Sequence, residues 1–190
     1  EDVFKPFADR NHQGVLAEIS PVPYQDLTEV LDGVEAAGRV PFVLILDRVT
    51  DVRNFGAIVR SAECAGVDVV IIPNKNSAKI SSDALTYSAG ALYHVQVCRV
   101  LNLKRVVREL KFQRGIRVYA ATEKAEKFYT GADLTLPTAI IMGSEDKGID
   151  EELINIATDC IKIPQKGQIE SLNVSAAAAV LLFEVVRQRG

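Results

Sequence analysis

Along the chain, short unbroken apolar runs alternate with segments whose apolar residues recur every three to four positions. The runs Phe42–Leu46, Val67–Ile72, His94–Cys98, Ile116–Ala120, Thr138–Met142 and Cys160–Ile163 are short and bounded by turn residues, the pattern of strands buried on both faces. Between them lie helical periods at Phe55–Ala65, Ser82–Ser88, Leu103–Arg114, Asp150–Ala157 and Leu172–Arg187, some stopped by a glycine such as Gly66 or Gly115. An earlier stretch, "DLTEVLDGVEAAG", predicts a short helix ending at Gly38, after an extended turn at "SPVPY". Strands alternating with helices imply βαβ units, hence an α/β fold with a mostly parallel sheet covered by helices on both faces. Ligands of such sheets gather beyond the carboxyl ends of the strands, so the loops that follow each strand are the places to look for chemistry.

Three of those loops are unusually polar. After Phe42–Leu46 comes "DRVTDVRNFGAIVR", in which Gly56 allows close backbone approach, Ile58, Ala62 and Ala65 face inward, and Arg60 lies near the opposite side. Taken alone, this stretch reads more simply as a helix start with a solvated arginine. After Thr138–Met142 comes "GSEDKGI", where Gly143 and Gly148 have the spacing of a phosphate loop. No GK[ST] follows, and Glu145 and Asp146 would repel phosphate, so a ribose or a sulfonium-bearing cofactor suits the loop better. An acidic surface turn is the plain alternative. After Cys160–Ile163, Pro164 and Gly167 shape a loop, Ser171 is placed to cap the last helix, and Asn173 and Ser175 enter its first turn. The four alanines 176–179 let another backbone pack closely, within the chain or across a dimer. A well-capped terminal helix would explain the same residues.

Composition changes this picture little. The chain has 190 residues, 48% hydrophobic and 25% charged, ordinary for one globular domain. A net charge of −3 argues against a general basic coat and leaves room for a local basic patch. The cluster Lys104, Arg105, Arg108, Lys111, Arg114 and Arg117 reads first as a solvated face. Cys64, Cys98 and Cys160 are far apart and without a CxxC pair, so they are read as packing residues in a reducing cytoplasm, with neither disulfide nor metal site expected. His94 is read as a strand histidine. The run Val174–Phe183 is too short to span a bilayer. No signal peptide opens the chain, which begins at Glu1 rather than Met, as a fragment or processed product would.

Asn54-x-Gly56-x-x-x-Arg60, then Met142-Gly143-x-Glu145-x-x-Gly148, then Ile163-Pro164 leading to Ser171-Leu172-Asn173-Val174-Ser175 together resemble the three motifs of the SpoU (TrmH) family of RNA ribose 2′-O-methyltransferases, in order and spacing. The similarity runs from about "NHQG" at residues 11–14, whose His12 is read as structural or RNA-facing, to the C-terminus. The resemblance implies a SPOUT fold with a C-terminal trefoil knot, S-adenosylmethionine as methyl donor and a homodimer. It also implies a structured RNA substrate: a guanosine of ribosomal RNA first, transfer RNA second. A non-catalytic RNA-binding or ribosome-assembly protein of the same fold is the competing class. Carried over by position, Ala121, Thr122, Gly143, Glu145, Gly148, Ile163, Leu172 and Asn173 hold the cofactor. Asn54, Arg60, Glu145, Ser171 and Asn173 form the catalytic set, while Arg48, Arg53 and Arg60 line an RNA path. Residues 1–40 are expected to lead into a methyltransferase domain at 41–190, with no room for the RNA-binding domain that many members carry upstream. Val52 stands where members often have proline, which softens the turn before Asn54.

These residue types suit methyl transfer. A sulfonium methyl is already activated, so its transfer to oxygen needs alignment and a more nucleophilic hydroxyl rather than a covalent enzyme nucleophile. The resemblance casts Arg60 as a base. A guanidinium stays protonated in proteins and accepts protons poorly, so Arg60 is better read as holding the adjacent phosphate and stabilising a developing alkoxide. Asn54 is expected to orient Arg60 or the ribose, and Glu145 to fix Asn54 or the third loop.

Overall fold

A computed structural model of the chain describes residues 20–169 and 171–190; the "NHQG" segment and His12 lie outside them. In chain order the elements are α1 (Leu27–Ala36), β1 (Phe42–Asp47), α2 (Val52–Cys64), β2 (Val69–Pro73), α3 (Ser82–Tyr87), β3 (Gln96–Val100), α4 (Leu103–Phe112), β4 (Arg117–Ala121), β5 (Thr138–Gly143), α5 (Glu151–Ile156), β6 (Asp159–Ile161) and α6 (Val174–Arg189). Short 3-10 turns occupy Ala91–Tyr93 and Tyr129–Gly131. Each α-helix opens on a side chain that accepts hydrogen bonds from its first free N–H groups: Asp26, Asp51, Ser81, Asn102, Asp150 and Asn173.

The strands form one sheet in the order β3-β2-β1-β5-β4-β6, parallel at every pairing. The α/β reading is therefore correct, and the described sheet is wholly rather than mostly parallel. Its unbroken apolar runs are divided between two cores by the period of two along each strand. Phe42, Leu44, Leu46, Ile140 and Met142 join Phe55, Ile58, Leu181 and Leu182 on the face covered by α2 and α6. Val43, Ile45, Ala139 and Ile141 join Leu31, Val107, Leu110 and Leu153 on the face covered by α1, α4 and α5. The chain runs outward from β1 to β3 and then returns to build β4, β5 and β6 on the other side of β1. β1 and β5 thus meet at the reversal, with Asp47 beside Gly143 at their carboxyl ends. That reversal leaves a crevice, where parallel sheets bind ligands.

Several boundaries differ from expectation for identifiable reasons. Helix α2 begins at Val52 rather than Phe55, because Asp51 accepts from the N–H groups of Arg53 and Asn54. The expected strand at His94 starts at Gln96 instead: Ala89 and Gly90 adopt left-handed backbone, the 3-10 turn follows, and His94 sits exposed at its end. The last helix starts at Val174, capped by Asn173 and not by Ser171. It also runs on to Arg189, whose guanidinium donates to the carbonyls of Leu134, Leu136, Val40 and Pro41 and lies over the Phe42 ring. Burial pulls that guanidinium below its ordinary pKa. It ties the chain's end to the start of the sheet.

Gly56 does permit a close approach, and the partner is α3. A Cβ there would fall 2.5 Å from Tyr87 Cβ and 2.9 Å from the Ser88 nitrogen. Gly56→Ala is expected to cost about 1–3 kcal/mol, read as a melting temperature lower by roughly 2–4 °C per kcal/mol. An unchanged melting curve would mean that α3 moves freely away from α2.

Candidate active site

Two loops at the carboxyl edge of the sheet are braced against each other. In the β5–α5 loop, a Cβ on Gly143 would lie 2.2 Å from the carbonyl carbon of Gly148, so only glycine lets the loop close on itself. Gly148 has φ +63°, and its N–H donates to the Ser144 carbonyl at 2.9 Å. Asp47, buried at the end of β1, accepts from the Asp150 N–H at 2.7 Å and pairs with Arg48 at 3.1 Å. Arg48, itself left-handed at φ 59°, donates to the Gly148 carbonyl at 3.2 Å. The β1 end therefore holds the closing end of "GSEDKG" by these bonds and its opening Gly143 by strand pairing beside Asp47.

The third loop reaches this brace through one amide. Asn173 Oδ1 accepts from the N–H groups of Ser175 (3.0 Å) and Ala176 (3.4 Å) and from the Ser175 hydroxyl (2.6 Å). With the oxygen committed to the helix start, Nδ2 faces the other way. It donates to Asn54 Oδ1 at 3.0 Å and to Glu145 Oε1. The same Glu145 oxygen accepts from the Val174 N–H at 3.2 Å. Residues of all three motif loops are thus joined across 119 positions of chain by hydrogen bonds alone.

Beside this junction lies a cavity of about 370 Å³. Ala121, Thr122, Gly143, Glu145, Gly148, Ile163, Ser171 and Leu172 all line it. Asn173, Asn54 and Arg60 do not, so Glu145 alone belongs to both the cavity and the Asn54–Asn173 pair. Sequence reasoning missed the apolar lining: Met142 and Ile161, read only as strand residues, and Val174, Ala177 and Leu181. The signal for the last three was the run beginning at Val174, which reads as packing surface whether or not a cavity opens onto it. Glu123, Lys124, Asp146, Lys147 and Lys162 supply charges of both signs.

The expected contact between Asn54 and Arg60 is not made. Six residues along a helix separate them by about 9 Å and about 120° around the axis, and the Asn54 oxygen is taken by Asn173. Arg60 stands exposed on α2 without a polar partner among the described residues. Arg53 is also exposed and pairs with Asp51 at 3.0 Å. Arg48 is instead drawn into the loop brace, its Nε buried without a hydrogen-bond partner. The cluster on and after α4 is only partly free. Lys104 pairs with Glu152, Arg114 with Asp32, Arg117 with Asp133, and Lys111 donates to the last carbonyls of α5. Among the described residues no group of histidine, cysteine and carboxylate side chains could hold a metal. Of the cysteines, Cys98 is buried, and burial pushes its thiol up to about 12. Cys64 is exposed and so is not the packing residue expected.

Residues 41–183 match the model of the SpoU rRNA Methylase family. A Synechocystis protein named as a tRNA/rRNA methyltransferase is 37% identical over 95% of this chain and 47% of its own length. The 23S rRNA (guanosine-2'-O-)-methyltransferase RlmB of Vibrio vulnificus is 40% identical over 94% of the chain and 72% of its own length. Among solved structures, the SpoU methyltransferase AviRb from Streptomyces viridochromogenes, in complex with AdoMet, superposes with a TM-score of 0.77 at 27% identity, over 88% of this chain and 66% of that one. The chain thus spans about half of the first relative and two thirds of the AviRb chain.

Asn173→Asp tests the junction. Aspartate caps a helix as well as asparagine does, yet its second oxygen would oppose the Glu145 carboxylate instead of donating to it. Asn173→Asp is expected to lower stability, and Glu145→Gln added to it to restore much of the loss, with a coupling of about 0.5–3 kcal/mol by double-mutant melting. Additive effects would show that the two side chains do not meet.

Proposed function

The chain belongs to the SpoU rRNA methylase family, and from that membership we propose that it transfers a methyl group from S-adenosylmethionine to a ribose 2′-hydroxyl, that of a guanosine in ribosomal RNA. The observation that carries this reading is the meeting of Asn54, Glu145 and Asn173 at the rim of the cavity. The cavity suits the donor: an apolar lining from Met142, Ile161 and Leu181 for a flat base, and nearby carboxylates and lysines for an amino-acid moiety. When bound, the cofactor supplies an activated methyl group on a sulfonium centre.

The remaining work falls to this chain's own side chains. Glu145 lines the cavity and holds Asn173 by its carboxylate, so cofactor seating and the position of the Asn54 amide are linked. Asn54, outside the cavity, is placed to orient the ribose. Arg60, exposed and free among the described residues, holds the phosphate beside that ribose and stabilises the alkoxide as its proton leaves to water. Ser171, on the cavity wall, completes the set. Residues 41–190 form the proposed catalytic unit.

Two further features belong to the same reading. A trefoil knot in the C-terminal part is supported by the chain following β6: Lys162 accepts from the Tyr129 N–H and donates to the Lys127 carbonyl, inside the loop after β4, before the chain turns back to α6 on α2. A homodimer is supported by the outer face of α6, where Val180, Phe183 and Val186 stand exposed at helical spacing. The three free thiols suit a cytoplasmic setting.

Tritiated methyl transfer to total RNA from a strain lacking the activity, followed by mapping of the modified nucleotide, tests the reaction and the substrate together; label on transfer RNA alone would replace the substrate. Saturable cofactor binding with no RNA methylated would favour a non-catalytic RNA-binding protein. Asn54→Ala is expected to lose turnover and keep cofactor affinity by calorimetry, and Arg60→Lys to lose most turnover because the planar fork is gone. Near-full turnover in Arg60→Lys would end the bidentate role. Phe183→Glu is expected to give a monomer by light scattering, where the wild-type chain gives a dimer.

A further inference from the structure

Arg53, Gly56 and Arg60 are spaced i, i+3 and i+7 on α2 and so form a single stripe along the helix. Gly56 in the middle carries no side chain, and the gap is filled from outside by Tyr87 at the end of α3, whose Cβ and carbonyl carbon would lie 2.5 and 2.9 Å from a Cβ at Gly56. The backbone that carries Tyr87 is fixed. Ser88, next in the chain, is fully buried and donates to the Leu85 carbonyl, and Ala89 and Gly90 follow in left-handed conformation. Yet Tyr87 is 46% exposed. An exposed aromatic side chain is therefore rooted over Gly56, on a stripe that carries an exposed arginine on either side of it, along the helix whose first turn supplies Asn54.

We propose that Tyr87 is a stacking platform for an RNA base adjoining the reactive ribose, with Arg53 and Arg60 holding the phosphates on either side. The chemistry fits single-stranded RNA: an aromatic face accepts any base, and flanking guanidiniums track the backbone. Arg53 spends one nitrogen on Asp51 and has further donors to offer. The arrangement gives Gly56 a second purpose, since any side chain there would push the platform off the helix. The inference rests on the methyl-transfer reading of the site and is tested by binding, so the two can fail separately.

The test titrates the whole chain with a fluorescein-labelled single-stranded RNA hexamer and with the same hexamer carrying one central abasic ribose, at fixed salt. The wild-type chain is expected to bind the intact hexamer roughly tenfold more tightly than the abasic one. Tyr87→Ala should collapse that ratio towards one and Tyr87→Phe should keep it. Because the contact with Gly56 is made by Cβ and backbone, which alanine retains, the variant is expected to melt as the wild type does. Tyr87→Leu, which restores bulk without an aromatic face, serves as a second variant and should behave as alanine does. With either substitution, cofactor affinity should be unchanged and the KM for RNA raised. A wild-type ratio near one, or a wild-type ratio preserved in both Tyr87→Ala and Tyr87→Leu, overturns the platform. Absence of methyl transfer by the wild-type chain would sink the proposed reaction and leave the hexamer ratios to be read on their own.

Discussion

One side-chain amide organises the site. Asn173 has a single oxygen and a single NH2 group, and the start of α6 claims the oxygen. The nitrogen therefore has to face Glu145 and Asn54; reversing the amide would set two donors against the helix N–H groups and two acceptors against each other. Helix capping, normally a local matter of stability, here fixes the direction of a group that joins three loops distant in the chain. Ser171 could have capped a helix starting two residues earlier, and nothing would then have oriented that NH2.

The junction is useful because its surroundings do not yield. At the reversal of strand order, Asp47 and Arg48 hold Asp150 and Gly148, while Gly143 lets the loop fold back within a distance that no side chain allows. Glu145 is thus carried on a loop closed at both ends. Glu145 stays exposed to solvent, and the fixed loop lets it line the cavity and accept from the amide at the same time. In the proposed reaction, alignment does the catalytic work, so a preorganised loop is worth more than a reactive side chain.

Much of this fold was legible in the chain. The apolar runs of β1 and β5 read as doubly buried strands, and the helices expected over "DLTEVLDGVEAAG" and from Leu103 begin within a residue of those positions. Two of the misreadings share a cause. His94 and Ser171 were placed by periodicity, while the structure placed them by backbone left-handed at Ala89 and Gly90 and by competition between two good capping residues. Neither is visible in a pattern of polar and apolar positions. The site was legible only as three motifs taken together. That Asn54 bonds Asn173 rather than assisting Arg60 is a matter of helix geometry once Asp51 sets the start of α2, and the sequence "TDVRN" held that cap in plain view.

The distribution of charge matters to a chain of net charge −3 whose proposed substrate is a polyanion. Around α4, Lys104, Lys111, Arg114 and Arg117 are engaged by carboxylates or carbonyls of the same chain, so that cluster offers far less field than its composition suggests. Arg189 is half-buried, with its guanidinium donating to four backbone carbonyls. On α2 the balance is reversed: Arg60 has no polar partner among the described residues, and Arg53 spends one nitrogen on its own helix cap. Field at a surface depends on which charges remain unpaired there, not on their total. By that measure α2, the helix that carries Asn54, keeps unpaired positive charge on its exposed face, where the proposed reaction needs a phosphate to rest.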